Sequence, residues 1–240
     1  MMGQQLVARE TEILRLLGQL RGRPERFTLI GGYAVDAYSP LPRYSVDCDL
    51  VVAKEESASV LSWLHGEGYE EEGEYRNELE GIETRMPSKK IGEASVSVDL
   101  MIGGLRCRQT EAVWREDEVR QTARELRVVG VNGSVLSNVA SKELLIALKL
   151  HSGRDPDVRD VVMLADRAEW NEVRRLSNKG AKDKAVSQVE SDIRIMSDKE
   201  FEQRLKASLG AKAGGERRIN AALSEVRSLL GDMRTAKFPS

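Results

Sequence analysis

Asp47 and Asp49 stand one residue apart in the run Arg43-Tyr44-Ser45-Val46-Asp47-Cys48-Asp49-Leu50, a short way after the pair Gly31-Gly32. On a β-strand alternate side chains share a face, so the two carboxylates project together while Val46, Cys48 and Leu50 turn to the opposite, buried layer. Neighbouring like charges repel, and a hard divalent cation is the usual way to offset that repulsion. Asp99 interrupts a second alternating apolar segment, Ser95-Val96-Ser97-Val98-Asp99-Leu100-Met101-Ile102. Carboxylates from neighbouring strands in this pattern could hold two Mg²⁺ ions for in-line phosphoryl chemistry.

These residues need strands and helices to hold them. Leu6, Ile13, Leu14, Leu16, Leu17 and Leu20 recur at helical spacing before Gly22 and Pro24, which predicts an amphipathic first helix. Phe27 to Ile30 reads as a short buried strand, Gly31-Gly32 as a turn, and Tyr33 to Tyr38 as a helix stopped by Pro40 and Pro42. The strand with Asp47 and Asp49 follows, then a helix over Glu55 to His65. Tyr69 to Arg76, Gly81 to Met86 and Glu93 to Ile102 have the alternation of an antiparallel meander. Ala112 to Leu126 suits a short helix or irregular chain, and Arg127 to Val131 a strand.

Past residue 135 the pattern becomes helical. Ser141 can cap a helix that begins at Lys142, and a second helix starts near Pro156 with Val158, Val161, Val162 and Leu164 inward. A weaker helical pattern surrounds Ile193 to Leu209. Ile219, Ala222, Leu223, Val226, Leu229 and Leu230 then form an apolar stripe that must be covered by its own domain, by a partner or by a second copy. The division expected is 1–135, carrying the carboxylates, and 136–240, a helical region.

The chain has 240 residues, enough for a core without disulfides. Its two cysteines, Cys48 and Cys107, are too few for a disulfide framework and fit a reducing cytoplasm. No apolar run reaches the roughly 20 residues of a membrane span, and the first residues lack a leader pattern. Charge is uneven: 22 Lys+Arg against 29 Asp+Glu through residue 170, net −7, and 15 against 10 beyond it, net +5. The basic tail suits a solvated helical face or an acidic partner such as RNA. His65 and His151 have no partner pattern and are expected at surface or capping positions. Trp63, Trp114 and Trp170 are scattered and expected to pack.

Ile30-Gly31-Gly32, followed by Arg43-Tyr44-Ser45-Val46-Asp47-Cys48-Asp49, resembles the signature of the nucleotidyltransferase superfamily, the fold shared by DNA polymerase β, and especially its small prokaryotic members, which include the nucleotidyltransferase toxins. The resemblance implies an α/β (α+β) fold: a mixed sheet flanked by helices, followed by a helical C-terminal region. It implies catalytic, metal-holding roles for Asp47, Asp49 and Asp99, with two Mg²⁺ ions. Gly31, Gly32, Arg43 and Ser45 would contact the phosphates of a nucleoside triphosphate.

The likeness continues through Lys142 to Asp160. Small members place there a helix ending in Lys-Leu, then Arg, then an acidic pair opening the next helix. By that pattern Lys149 reaches the triphosphate, while Asp157 and Asp160, with Arg154 or Arg159, order the junction between catalytic and helical parts. The implied reaction moves a nucleoside monophosphate onto a hydroxyl acceptor, which is an RNA such as tRNA, a protein or a small molecule. The alternatives are a noncatalytic nucleic-acid-binding module on the same fold, or a toxin–antitoxin component that meets a protein partner or a second copy through the last helix.

Overall fold

The computed structural model describes residues 2–39, 45–71, 77–79, 81–209 and 215–238. The chain separates into two compact units, 1–105 with 114–141 and 106–113 with 142–240. The division falls after Ser141 rather than after residue 135 because the last strand of the first unit stays in its ladder as far as Val139.

The first unit is a mixed sheet with helices. In chain order it comprises α1 (Met2–Arg21), β1 (Phe27–Ile30), α2 (Gly31–Asp36), β2 (Asp47–Val52), α3 (Lys54–Gly66), β3 (Glu70–Glu71), β4 (Asn77–Leu79), β5 (Ile82–Arg85), β6 (Pro87–Ile91) and β7 (Ala94–Ile102). The strands β8 (Gly104–Arg106) and β9 (Val113–Arg115) follow, then α4 (Glu116–Thr122), β10 (Arg124–Val129) and β11 (Ser134–Val139). The sheet runs β10-β11-β1-β2-β7-β5-β4, with β6 also on β7 and β3 on β6. β2 is central, antiparallel to β1 and parallel to β7. Paired on both sides, it is held in one register, and a one-residue slip would turn Cys48 and Leu50 out of the core.

α1 lies on β11 and β7 and buries Ile13, Leu16, Leu17 and Leu20, each contributing about 1.5–3 kcal/mol. On its inner side Glu10 is fully buried and accepts hydrogen bonds from the backbone N–H groups of Val131 and Asn132, both at 2.7 Å, and from Asn132 Nδ2 at 2.9 Å. This carboxylate closes the β10–β11 turn from across the sheet. A charge in that position is satisfied only while the turn stays in place.

Three differences from the sequence reading have local causes. Gly31-Gly32 opens α2 rather than forming a separate turn. β11 went unrecognised because Ser134, Ser137 and Asn138 break its apolar alternation, yet β1 and β10 both bond to it. β6 was missed because Pro87, Ser88, Lys89 and Lys90 read as loop, although β7 and β3 pair with it. Of the strand expected over Tyr69 to Arg76, only Glu70–Glu71 is observed; 72–76 lie outside the described residues.

The second unit is helical: α5 (Lys142–Ser152), α6 (Asp155–Leu164), α7 (Trp170–Ser177), α8 (Lys182–Met196), α9 (Phe201–Leu209) and α10 (Glu216–Thr235). α5 packs on α6, α7 and α8 through Leu144, Leu145, Ile146, Ala147 and Leu150. α10 buries Ile219, Ala222, Val226, Leu229 and Met233 against α6, α7 and α8. The apolar stripe of the last helix is therefore covered inside its own unit. No helix among the described residues is long and apolar enough to cross a membrane.

His151 corrects the expectation of a surface position. It is buried, with Nδ1 2.6 Å from Thr110 Oγ1 and Nε2 2.9 Å from the Ser177 carbonyl. Burial pushes its pKa down to about 4, so the ring is neutral. Trp114 is fully buried, while Trp63 lies half-buried beneath the Arg23 guanidinium, 5.2 Å from its ring centre.

Candidate active site

The parallel register of β2 and β7 places Asp47 beside Ser97, Cys48 beside Val98 and Asp49 beside Asp99. Along both strands burial alternates. Cys48, Leu50, Val98 and Leu100 are fully buried, whereas Asp47, Asp49, Ser97 and Asp99 occupy the other, half-buried face. The three aspartates thus belong to one face of two adjacent strands, with Asp49 and Asp99 directly opposite each other. In-register residues of adjacent strands are close enough for their side chains to interact.

Ser97 Oγ donates a hydrogen bond of 2.5 Å to Asp47 Oδ1. The sequence reading passed over Ser97. Its signal was present, since Ser97 precedes Asp99 by two residues and so shares its face. Asp99 Oδ1 is buried without a hydrogen-bond partner among the described residues. Burial, and then the charge of Asp47, push the Asp99 carboxyl up to about 6. Burial and the adjoining Asp49, Asp99 and Asp47 also hold the Cys48 thiol well above its ordinary range, so it remains protonated and packs.

Glycine at 31 is a geometric requirement. Its φ is +68°, and a Cβ built there would stand 2.5 Å from Asp49 Cγ and closer still to Oδ2. The start of α2 therefore lies directly against the Asp49 carboxylate, as only glycine permits. Tyr33, two residues on and fully buried, donates from its hydroxyl to the Ser45 carbonyl at 3.2 Å, tying the approach to β2 onto α2. Gly32 is buried and Ser45 half-buried. Arg43 lies outside the described residues.

The other expected residues form a separate cluster in the helical unit. Lys149 Nζ pairs with Asp157 at 2.7 Å and Asp160 at 2.9 Å, and Arg154 Nε holds Asp157 at 2.7 Å. Ser152 donates to Asp157 at 2.8 Å. Burial alone would raise Asp157, but hydrogen bonds from Arg154, Lys149 and Ser152 hold it down at about 2. Burial also pulls the Lys149 ammonium down, and Asp160 and Asp157 together outweigh it. Contact between Lys149 and a triphosphate would require it to leave two buried carboxylates. Arg159, the alternative in this stretch, pairs with Asp155 at 3.3 Å.

No set of three His, Cys, Asp or Glu side chains among the described residues is already gathered as a metal cage. The β2–β7 face nevertheless fits a hard cation: its donors are all carboxylate oxygens, one of them is buried and unpartnered, and no Lys or Arg among the described residues ion-pairs with Asp47 or Asp99.

No known family profile matches the sequence, and no curated protein matches it. Solved structures do. A protein from H. pylori described as a candidate nucleotidyltransferase superposes with a TM-score of 0.51 at 13% identity, covering 97% of this chain and 98% of that one. JHP933 from Helicobacter pylori gives 0.49 at 14% identity, covering 96% and 94%. The lincosamide antibiotic adenylyltransferase LnuA, bound to lincomycin, gives 0.43 at 17% identity, covering 66% of this chain and 98% of its own. This chain shares the fold of the H. pylori protein described as a candidate nucleotidyltransferase.

Proposed function

We propose that this protein transfers a nucleoside monophosphate from a nucleoside triphosphate to a hydroxyl acceptor, using Asp47, Asp49 and Asp99 to hold magnesium. The observation that carries the reading is the β2–β7 register, which sets Asp49 against Asp99 with Asp47 on the same face. Two Mg²⁺ ions would neutralise the triphosphate and acidify the acceptor hydroxyl. Asp47 and Asp49 are the residues assigned to hold both ions, with Ser97 fixing the Asp47 carboxylate. Asp99 is assigned the acceptor side, where its Oδ1 takes the hydroxyl proton. The acceptor oxygen then bonds to the α-phosphorus as the bond to pyrophosphate breaks. Gly31 and Gly32 bring backbone close to the phosphates, and Arg43 and Ser45 supply donors to them.

The test is incubation of the full chain with each α-labelled triphosphate, Mg²⁺, and total cellular RNA and protein, beside the Asp47→Ala/Asp49→Ala variant. Label should enter one class of acceptor with the wild type alone. Incorporation that survives the double substitution refutes the carboxylate assignment. Titration calorimetry that finds no Mg²⁺-dependent affinity for any triphosphate favours the noncatalytic module instead.

A further inference from the structure

A cavity of about 860 Å³ in the helical unit lies between the chain after α6 and the start of α10. Arg167, Trp170, Arg217 and Arg218 line it, together with Asp166 and Glu225. Its size falls within the roughly 300–1,000 Å³ of small-ligand sites. Arg167 and Arg217 have no hydrogen-bond or ion-pair partner among the described residues, whereas Glu225 is drawn toward Arg174 at 3.7 Å. Three arginines against Asp166 and Glu225 leave the wall net cationic. Arg218, which also lines the cavity, has Nη1 3.5 Å from the Met163 thioether. Arg167 also has φ +54°, an uncommon conformation for a side-chain-bearing residue.

From the unpartnered guanidinium groups of Arg167 and Arg217 and the half-buried indole in one cavity we infer a second site, which takes a nucleotide unit with its base against Trp170 and its phosphate between Arg167 and Arg217. Arginine forks match phosphate oxygens, and an indole accepts any base by stacking. Asp166 and Glu225 rim the same cavity and disfavour a bare anion of high charge, leaving stacking to supply part of the affinity. The site goes beyond the proposed transfer and does not rest on it. Its nucleotide unit is either part of a single strand or a free mononucleotide.

The test uses the full chain in EDTA, with a 5′-fluorescein RNA tetranucleotide followed by anisotropy, and with AMP and pyrophosphate as competitors. Arg167→Ala/Arg217→Ala should weaken binding about tenfold and flatten its salt dependence. Trp170→Leu should weaken it about tenfold as well. The Asp47→Ala/Asp49→Ala variant should bind like the wild type, which separates this site from the carboxylates. Tetranucleotide binding much tighter than AMP identifies a strand as the source; equal binding identifies a mononucleotide. The inference is overturned if neither probe binds, if both cavity variants bind like the wild type, if pyrophosphate competes as well as AMP, or if the aspartate variant loses binding. Arg167 and Arg217 are exposed, so their variants keep the test valid if Trp170→Leu fails to fold.

Discussion

Replacing Gly31 with Ala tests the contact that joins α2 to β2. Two costs add. A left-handed φ of +68° costs an alanine roughly 1–2 kcal/mol more than glycine. The new methyl would stand 2.5 Å from Asp49 Cγ, whereas carbon atoms rest at about 3.5–4 Å, so the carboxylate must shift by about 1 Å. A misplacement of that size at a reacting centre costs about 100-fold in rate. Gly31→Ala should therefore lower Tm by roughly 2–8 °C and reduce nucleotidyl transfer about 100-fold. Urea unfolding of Gly31→Ala, Asp49→Ala and the double variant separates the two costs. Removing the carboxylate relieves the two closest overlaps, leaving Asp49 Cβ at 3.0 Å and the φ cost, so the double variant should be more stable than the sum of the singles predicts by at least about 0.5 kcal/mol. Additive stabilities together with unchanged Mg²⁺ affinity would refute the claim that Gly31 exists to admit the Asp49 carboxylate.

Ser97→Ala removes the hydrogen bond to Asp47 Oδ1, a charged acceptor, and should cost about 1.5–3 kcal/mol in the summed stability and Mg²⁺ affinity of the folded protein, measured by urea unfolding and calorimetry. Lys149→Met leaves Asp157 and Asp160 buried without their ammonium and should destabilise the helical unit by about 3–5 kcal/mol, whereas the exposed Arg154→Ala should cost under about 1 kcal/mol in the same denaturation series. His151, held down at about 4 by burial, binds fewer protons folded than unfolded between about pH 4 and 6.5. Its contribution is complete above pH 6.5 and is lost as pH falls through 4, a loss of about 3 kcal/mol that the pH dependence of urea midpoints should show and that His151→Gln should remove.

The shared face of the three aspartates was legible because it is written in period two. Asp47, Asp49 and Asp99 each interrupt an apolar alternation, and that alternation is what places them on one face once β2 and β7 pair. Which strands pair was not legible. β11 joins β1 from a hundred residues away through a sequence too polar to announce itself, and β6 hides behind Pro87 and two lysines. His151 was misread for the opposite reason: its partners, Thr110 and the Ser177 carbonyl, are distant in sequence, and no local pattern marks a ring satisfied by long-range contacts. Lys149 was placed by analogy on a phosphate, and its own ion pairs depend on how α5 meets α6.

The two acidic clusters separate a structural device from a candidate site. Asp157 is only 1% exposed, yet Lys149, Arg154 and Ser152 satisfy it and hold it ionised, so it has no need of a further cation. On the β2–β7 face the balance is reversed. Asp99 is pushed up to about 6 by burial and by Asp47, one of its oxygens has no partner among the described residues, and the hydroxyl of Ser97 is a neutral donor that orients Asp47 without cancelling its charge. A sheet that sets carboxylates opposite one another at such a cost gains from a cation, and a divalent ion offsets more than one of them at once. The acidic face of the sheet, unlike the Asp157 cluster of the helices, keeps a buried carboxylate oxygen without a partner among the described residues.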